Sequence, residues 1–286
     1  MVIGLHSMIK EIIKITNKNV DFLNLQENHL SIQLSLDGFS FCIYNKILEK
    51  IGVFGVYEFE NCTSPYKHLE FLEKLYLQEP LLRNKYNSVS VVHSNNLVTQ
   101  VPSAFLDRSN LSKYLEHTVK VLENDYITID EIYNSDIVNV YIPFININNF
   151  LLDTYGTFVY KHSSTVLIEK LLNFYKHKED DFCFVNVASN KFEIVVLEKG
   201  KFILYNYFNF STKEDFIYYI LFIAEQLDLN PEEFNLVLLG DIEKDSELYT
   251  ILFQYVRNIN FYKPTYFSSE IESISTHSHF TLLNQL

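Results

Sequence analysis

The chain has 286 residues, 48% of them hydrophobic and 21% charged, a composition typical of a folded globular protein of about two domains. Its formal net charge is −13 and it contains no run of Lys or Arg, which argues against nucleic acid as a partner. It has 7 glycines, whereas average usage of roughly 7% would give about 20. Because loops that bind phosphate are rich in glycine, the low count argues against such a loop in this chain.

The sequence also indicates the cellular compartment of the protein. No apolar run approaches the ~20 residues that span a membrane, so we expect no membrane insertion. The first fifteen residues have no cleavage-site pattern, which is typical of a mature chain. The three cysteines, Cys42, Cys62 and Cys183, are far apart and odd in number, as expected of a reduced compartment. We therefore expect a cytoplasmic protein.

Apolar and polar residues alternate in the first part of the chain over 30–35 and 39–44, and a third extended run follows over 51–59, which predicts three strands. Ser64 as N-cap and Pro65 as first helical residue predict the start of a helix, and Pro80 predicts its end. Two further strands are predicted over 88–93 and 97–101. The predicted order is β-β-β-α-β.

The second part of the chain repeats this order. Strands are predicted over 182–187, 192–197 and 202–208, and a capping box of Ser211 and Glu214 predicts the next helix. A strand over 234–239, a second helix and a short strand over 259–262 follow. Between the two parts we predict a strand over 136–143, a helix over 146–155, an extended segment over 157–162 and a helix capped by Ser163.

The two parts can be aligned as an internal repeat. Residues 32–41 align with 185–194 at an offset of 153, with the same apolar phase, the same turn position and a Phe after the turn. The repeat predicts two domains, 1–162 and 163–286, with the helix that starts at Ser163 as the crossover.

The duplicated plan resembles the actin-like ATPase superfamily of sugar kinases, heat-shock chaperones and actins. The runs 30–43, 101–105 and 162–164 also look like an uncharacterised bacterial family of unknown function that has been assigned this fold. The resemblance implies an α/β (α+β) fold of duplicated ribonuclease-H-like β-β-β-α-β-α domains, and it implies no activity. Superfamily members bind ATP between the two copies, where an Asp in each first hairpin holds Mg²⁺ and a Gly approaches phosphate.

This chain departs from that pattern where the chemistry takes place. Gln33 and Asn186 stand at the two Asp positions, Ser35 and Ala188 stand at the hairpin Gly positions, and the third element keeps one glycine, Gly240. Uncharged amides are weak ligands for a hard divalent cation, so we expect no catalytic residue, no metal and no cofactor, with Mg-ATP disfavoured. The candidate cleft positions are Gln33, Ser35, Asp37, Gly38, Asn186, Ser189, Asn190, Gly240 and Asp241.

Several of these positions have two interpretations. Asp37 and Gly38 could bind an ion in a rearranged loop, but a tight hairpin turn explains them as well and is favoured. Ser189 and Asn190 are likewise ordinary turn residues, and Gly240 could only relieve backbone strain. His277 and His279 have no third ligand that would complete a metal site.

The favoured functional hypothesis is a pseudo-ATPase, a non-catalytic cytoplasmic scaffold or adaptor that binds another protein. The alternatives are an atypical ATP-binding phosphotransferase or ATPase with a rearranged cleft, and a cleft for a ligand other than a nucleotide. The 20 Tyr and 24 Phe residues are expected mostly in the core. Exposed aromatic residues within 202–210 would instead indicate a protein-binding patch.

Overall fold

The structure is a computed structural model, and it describes residues 8–17, 20, 25–263, 275 and 277–285. The chain divides into two compact units. Unit 1 comprises Met1–Ile132, Asp136–Val166 and Thr281–Leu286, and unit 2 comprises Tyr133–Ser135 and Leu167–Phe280. No helix among the described residues is long and apolar enough to cross a membrane.

The strands of the described residues follow the predicted order with two additions. They are β1 (Ile9–Thr16), β2 (Asn28–Ser35), β3 (Gly38–Asn45), β4 (Lys50–Phe59), β5 (Ser88–Ser94), β6 (Val98–Pro102), β7 (Thr128–Glu131), β8 (Ile137–Tyr141), β9 (Val159–His162), β10 (Asp181–Ala188), β11 (Lys191–Glu198), β12 (Lys201–Asn209), β13 (Asn235–Gly240) and β14 (Asn258–Phe261). The additions are β1 and β7, which the sequence patterns do not predict.

The α-helices connect and cover these strands. They are α1 (Pro65–Gln78), α2 (Ser112–Leu115), α3 (Ile145–Tyr155), α4 (Ser163–Tyr175), α5 (Lys213–Gln226), α6 (Glu247–Tyr255) and α7 (Phe280–Leu283). As predicted, the Ser64 hydroxyl caps α1 by accepting the Lys67 N–H, and Pro65 begins the helix.

The two units contain equivalent sheets. In unit 1 the strand order is β1-β4-β3-β2-β5-β9, and in unit 2 it is β12-β11-β10-β13-β14, so the orders coincide once β1 is set aside. In each sheet the first hairpin is antiparallel and its first strand pairs in parallel with the next strand, β2 with β5 and β10 with β13. β2 begins at Asn28 and β10 at Asp181, which is the predicted offset of 153. The internal repeat is therefore a repeat of the fold.

Each sheet buries one face against helices. In unit 1 the alternate residues Leu30, Ile32 and Leu34 of β2 belong to a core that includes residues of α1 and α3. In unit 2 the corresponding core joins residues of β10 and β11 to α5 and α6. These faces follow from the period-2 and period-3.6 patterns of the sequence.

A third sheet, of order β6-β8-β7, lies between β5 and β9 in the chain. It has a small core of its own, which includes Val101, Leu115, Val140 and Ile142. The segments predicted as strands over 97–101 and 136–143 therefore pair with each other in this insertion instead of joining the main sheet.

The structure corrects the start of α5 by one residue. The capping box consists of Thr212 and Asp215, and not of Ser211 and Glu214. The Thr212 hydroxyl accepts the Asp215 N–H, while the Asp215 carboxylate accepts the N–H groups of Ser211 and Thr212. Both pairs, Ser211 with Glu214 and Thr212 with Asp215, have the three-residue spacing of a capping box, and the hydrogen bonds show that Thr212 and Asp215 form it.

The compact units also differ from the predicted domain limits of 1–162 and 163–286. The first turn of α4 lies in unit 1, because the Asn139 amide donates to the hydroxyls of Ser164 and Thr165. The Thr165 hydroxyl in turn donates to the Asp130 carboxylate. The last six residues, Thr281–Leu286, also return to unit 1.

Candidate functional site

In unit 1 the candidate residues lie on the β2–β3 hairpin. Gln33 stands opposite Ser40 of β3 and Val92 of β5. Its side-chain oxygen, Oε1, accepts a hydrogen bond of 2.6 Å from the Thr281 hydroxyl in the C-terminal segment. The Gln33 amide, which the resemblance in sequence equates with a metal-holding Asp, is therefore bonded to the C-terminal segment of its own chain.

A second side chain of the same segment reaches the same strand. Gln285 donates through Nε2 to the Ile32 carbonyl at 3.0 Å and accepts the Ser90 hydroxyl at 2.8 Å. The C-terminal segment thus holds β2 and β5 at adjacent positions.

The tip of this hairpin is a two-residue loop. Ser35 pairs with Gly38, so the central residues are Leu36 and Asp37, one position earlier than an Asp-Gly centre would place them. Glycine at the fourth position is typical of a type I turn. The Asp37 carbonyl accepts the Phe59 N–H at 2.9 Å, which fixes the tip to the end of β4.

In unit 2 the equivalent amide is also bonded within the chain. Asn186 donates from Nδ2 to the Glu193 carboxylate at 2.8 Å, and the Tyr205 hydroxyl donates to the other carboxylate oxygen at 2.8 Å. Glu193 is buried and stands opposite Asn186 in the hairpin. Ser189 and Asn190 form the exposed two-residue loop between Ala188 and Lys191.

Gly240 is the last residue of the neighbouring strand β13, where it stands opposite Val187 of β10, and Asp241 follows it. Gly240 has φ +82°, and a Cβ atom there would lie 2.0 Å from the Val187 carbonyl oxygen. Its N–H donates to the His277 carbonyl at 2.9 Å, and the Asp241 N–H donates to the Val187 carbonyl at 2.8 Å. Both the backbone angle and the close approach require glycine.

Asp241 lies in a polar setting with two histidines. Asp241 is exposed, yet desolvation by its neighbours raises the pKa of its carboxyl, while His279 and His277 act in the opposite direction. The His277 ring hydrogen-bonds through Nε2 to the Ile242 carbonyl at 2.7 Å. In the part of the chain that the structure describes, no group of three or more His, Cys, Asp or Glu side chains is placed to hold a metal.

Each unit therefore has its own candidate residues on its first hairpin, and in unit 2 Gly240 and Asp241 lie beside that hairpin at the end of β13. The local sequence patterns do not identify Glu193, Thr281 or Gln285, although the side chains of all three form hydrogen bonds at these hairpins. A signal existed for Glu193, because it is the one charged residue within the apolar run 192–197. For Thr281 and Gln285 the sequence contains no comparable signal.

The chain matches one described protein family and a group of solved structures. The family model described as "Protein of unknown function (DUF3822)" matches residues 17–259. A protein of unknown function from Bacteroides thetaiotaomicron VPI-5482, described as having an actin-like ATPase fold, is 24% identical and superposes with a TM-score of 0.76. That match covers 85% of this chain and 93% of the other.

The PilM–PilN type IV pilus biogenesis complex contains a chain that is 13% identical, with a TM-score of 0.49 and coverage of 82% of this chain and 88% of that one. No curated protein matches the sequence. At these identities the structural matches establish the fold alone.

Proposed function

The chain belongs to the family of proteins of unknown function DUF3822 and has an actin-like ATPase fold, and from this premise we propose that it is a non-catalytic cytoplasmic scaffold or adaptor that binds another protein. One observation carries the proposal. The two residues at the metal-holding positions, Gln33 and Asn186, are neutral amides, and each is hydrogen-bonded within its own unit.

The bonded state of these amides matters as much as their lack of charge. Mg²⁺ prefers carboxylate and phosphate oxygens in an octahedral arrangement. One lone pair of the Gln33 side-chain oxygen is already used by the hydrogen bond from Thr281, a buried residue. The bond also holds the amide in one orientation, so Gln33 cannot turn toward a metal ion without losing a hydrogen bond worth about 1 kcal/mol.

The cysteines support the cytoplasmic part of the proposal. All three are free thiols, and Cys42 and Cys183 are buried. Burial raises the pKa of each of these two thiols to about 12, which keeps them protonated and unreactive. Free, inert thiols are typical of proteins from a reducing compartment.

The alternative function is an atypical ATP-binding phosphotransferase or ATPase. The observation that favours it is the pair of carboxylates that remain next to the two hairpins, Asp37 at the exposed tip in unit 1 and Asp241 beside the end of β10 in unit 2. Carboxylates at these positions offer the oxygen chemistry that a magnesium ion requires.

Titration calorimetry with ATP and ADP, each with and without Mg²⁺, separates the two. For the wild-type chain we expect no binding heat at micromolar affinity. Micromolar, Mg²⁺-dependent binding that Asp37→Ala or Asp241→Ala abolishes would overturn the scaffold proposal. Asp107→Ala, at an exposed carboxylate of the insertion, is the matched control for loss of one surface charge.

A further inference from the structure

A groove of about 550 Å³ lies in the insertion of unit 1 that contains the β6-β8-β7 sheet. Its volume falls within the roughly 300–1,000 Å³ that is typical of ligand sites, which is enough for a few side chains of a partner. The aromatic residues within 202–210, which would have indicated a protein-binding patch if exposed, are half-buried. The groove is therefore a better candidate for a binding surface than that strand.

Part of the lining of this groove is apolar. Val119, Val121 and Ile127 line it and pack against the small core of the insertion. Leu122 lines it too, and its side chain is 57% exposed. A partner that covers these side chains removes apolar surface from water, which favours association.

The loop that forms most of the groove is held in shape by hydrogen bonds. Residues 116–127, all of which the structure describes, contain neither helix nor strand. The Val119 N–H donates to the Leu115 carbonyl at 2.8 Å, and the Asp125 carboxylate accepts the Leu122 N–H at 2.7 Å. These bonds hold Leu122 beside the groove before any partner binds, so binding requires little further ordering of the loop.

The charges of the lining indicate which occupant fits. Three carboxylates, those of Glu116, Glu123 and Asp125, line the groove together with one ammonium group, that of Lys120. Among the described residues, the side chains of Glu116 and Glu123 have no ion pair and no hydrogen bond. Their charges are therefore left for a partner, and the partner that complements them is positively charged.

We propose that this groove binds a basic segment of a partner protein, in which Lys or Arg residues flank an apolar side chain. The apolar side chain covers Leu122, and the cationic groups face Glu116 and Glu123. The same carboxylates repel the phosphates of nucleic acids and of anionic lipids, which favours a protein as the occupant. The inference rests on the proposed scaffold function and adds to it the surface and the chemistry of the partner.

Selection of a displayed library of short random peptides on the full chain tests the proposal. We expect the selected peptides to be enriched in Lys and Arg next to Leu, Ile, Val or Phe. Their binding should weaken at least about tenfold between about 0.05 and 0.5 M NaCl, because salt screens the charges. A selection that enriches no peptide, or only peptides without basic residues, would overturn the proposal.

Matched variants locate the binding surface, and all of the exchanged side chains are exposed, so each variant keeps its core. Glu116→Lys combined with Glu123→Lys should weaken binding of the selected peptides at least about tenfold. Glu179→Lys combined with Glu225→Lys changes the net charge equally, at two carboxylates of unit 2, and should leave binding unchanged. Leu122→Ser should weaken binding at least about fivefold through the lost apolar contact.

The outcomes for the groove and for the scaffold function are distinct. Peptides that bind equally well to both double variants would overturn the groove proposal and leave a scaffold that binds through another surface. Mg²⁺-dependent binding of ATP in the calorimetry would overturn the non-catalytic scaffold and leave the groove proposal in place.

Discussion

The Thr281 hydroxyl donates a 2.6 Å hydrogen bond to the side-chain oxygen of Gln33, across a sequence separation of 248 residues. This bond joins the C-terminal segment to strand β2 of unit 1. The bond gives Gln33 a role in stability, which can be measured from the free energy of unfolding of variants at the two positions.

Thr281→Val removes the hydroxyl with little change in volume and leaves the Gln33 oxygen without this donor. We expect the free energy of unfolding to fall by about 1 kcal/mol, measured by urea denaturation. In a Gln33→Met background the same substitution should cost less, because the acceptor is already absent. Equal costs in the two backgrounds would show that the two side chains are not coupled.

Gly240→Ala tests the close approach of β13 to β10. Gly240 and Gly156 have nearly the same φ, +82° and +83°. A Cβ atom at Gly240 would lie 2.0 Å from the Val187 carbonyl oxygen, whereas a Cβ atom at Gly156 would have no atom within 4 Å. Gly156→Ala should therefore cost about 1 kcal/mol from the backbone angle alone, and Gly240→Ala about 3 kcal/mol or more. Comparable urea midpoints for the two variants would contradict the predicted backbone clash.

His68 makes stability depend on pH. It is fully buried between the rings of Phe59 and Phe144, and its ring nitrogens have no hydrogen-bond partner among the described residues. Burial lowers its pKa to about 4, although Asp37 acts in the opposite direction. The unfolded chain binds this proton near pH 6.5 and the folded chain does not, so stability falls as the pH drops from about 6.5 to about 4.

His68→Leu removes both the unpartnered imidazole and its proton. We expect higher stability at pH 7 by about 1 kcal/mol and a shallower loss of stability toward pH 5, both measured by urea unfolding. Part of the pH dependence should remain, because His29, His93 and His162 are also buried with lowered pKa values of about 4, 4 and 3. The exposed His117→Leu is the control and should alter neither quantity.

Asn186→Asp tests the buried pair in unit 2. The substitution replaces the amide donor with a second carboxylate beside Glu193, and we expect a loss of about 2 kcal/mol in unfolding free energy near pH 7. Adding Glu193→Gln restores one donor and one acceptor and should recover most of the loss. If the Asn186→Asp variant is as stable as wild type, the hydrogen bond from Asn186 to Glu193 is not a stabilising contact.

Local patterns predicted much of the fold. Alternation in β2, β3, β10 and β11 revealed the repeat and its offset of 153, because a strand with one buried face must alternate. β1 was missed because Lys10, Glu11 and Lys14 interrupt its apolar residues, as suits an edge strand. The start of α5 was misplaced by one residue because two capping-box spacings overlap there.

The contacts around the candidate residues were beyond such patterns. The pairing of Glu193 with Asn186 depends on hairpin register and side-chain reach, which the sequence constrains only once the fold is known. The bond from Thr281 to Gln33 has no local signal, because neither periodicity nor turn chemistry relates residues so far apart.

The return of Thr281–Leu286 to unit 1 places unit 2 as an insertion within the sequence of unit 1. During synthesis, the ribosome therefore releases almost all of unit 1, then residues Leu167–Phe280 of unit 2, and only afterwards the residues that bond to β2 and β5. Unit 1 reaches its final set of contacts last, although most of its residues are made first.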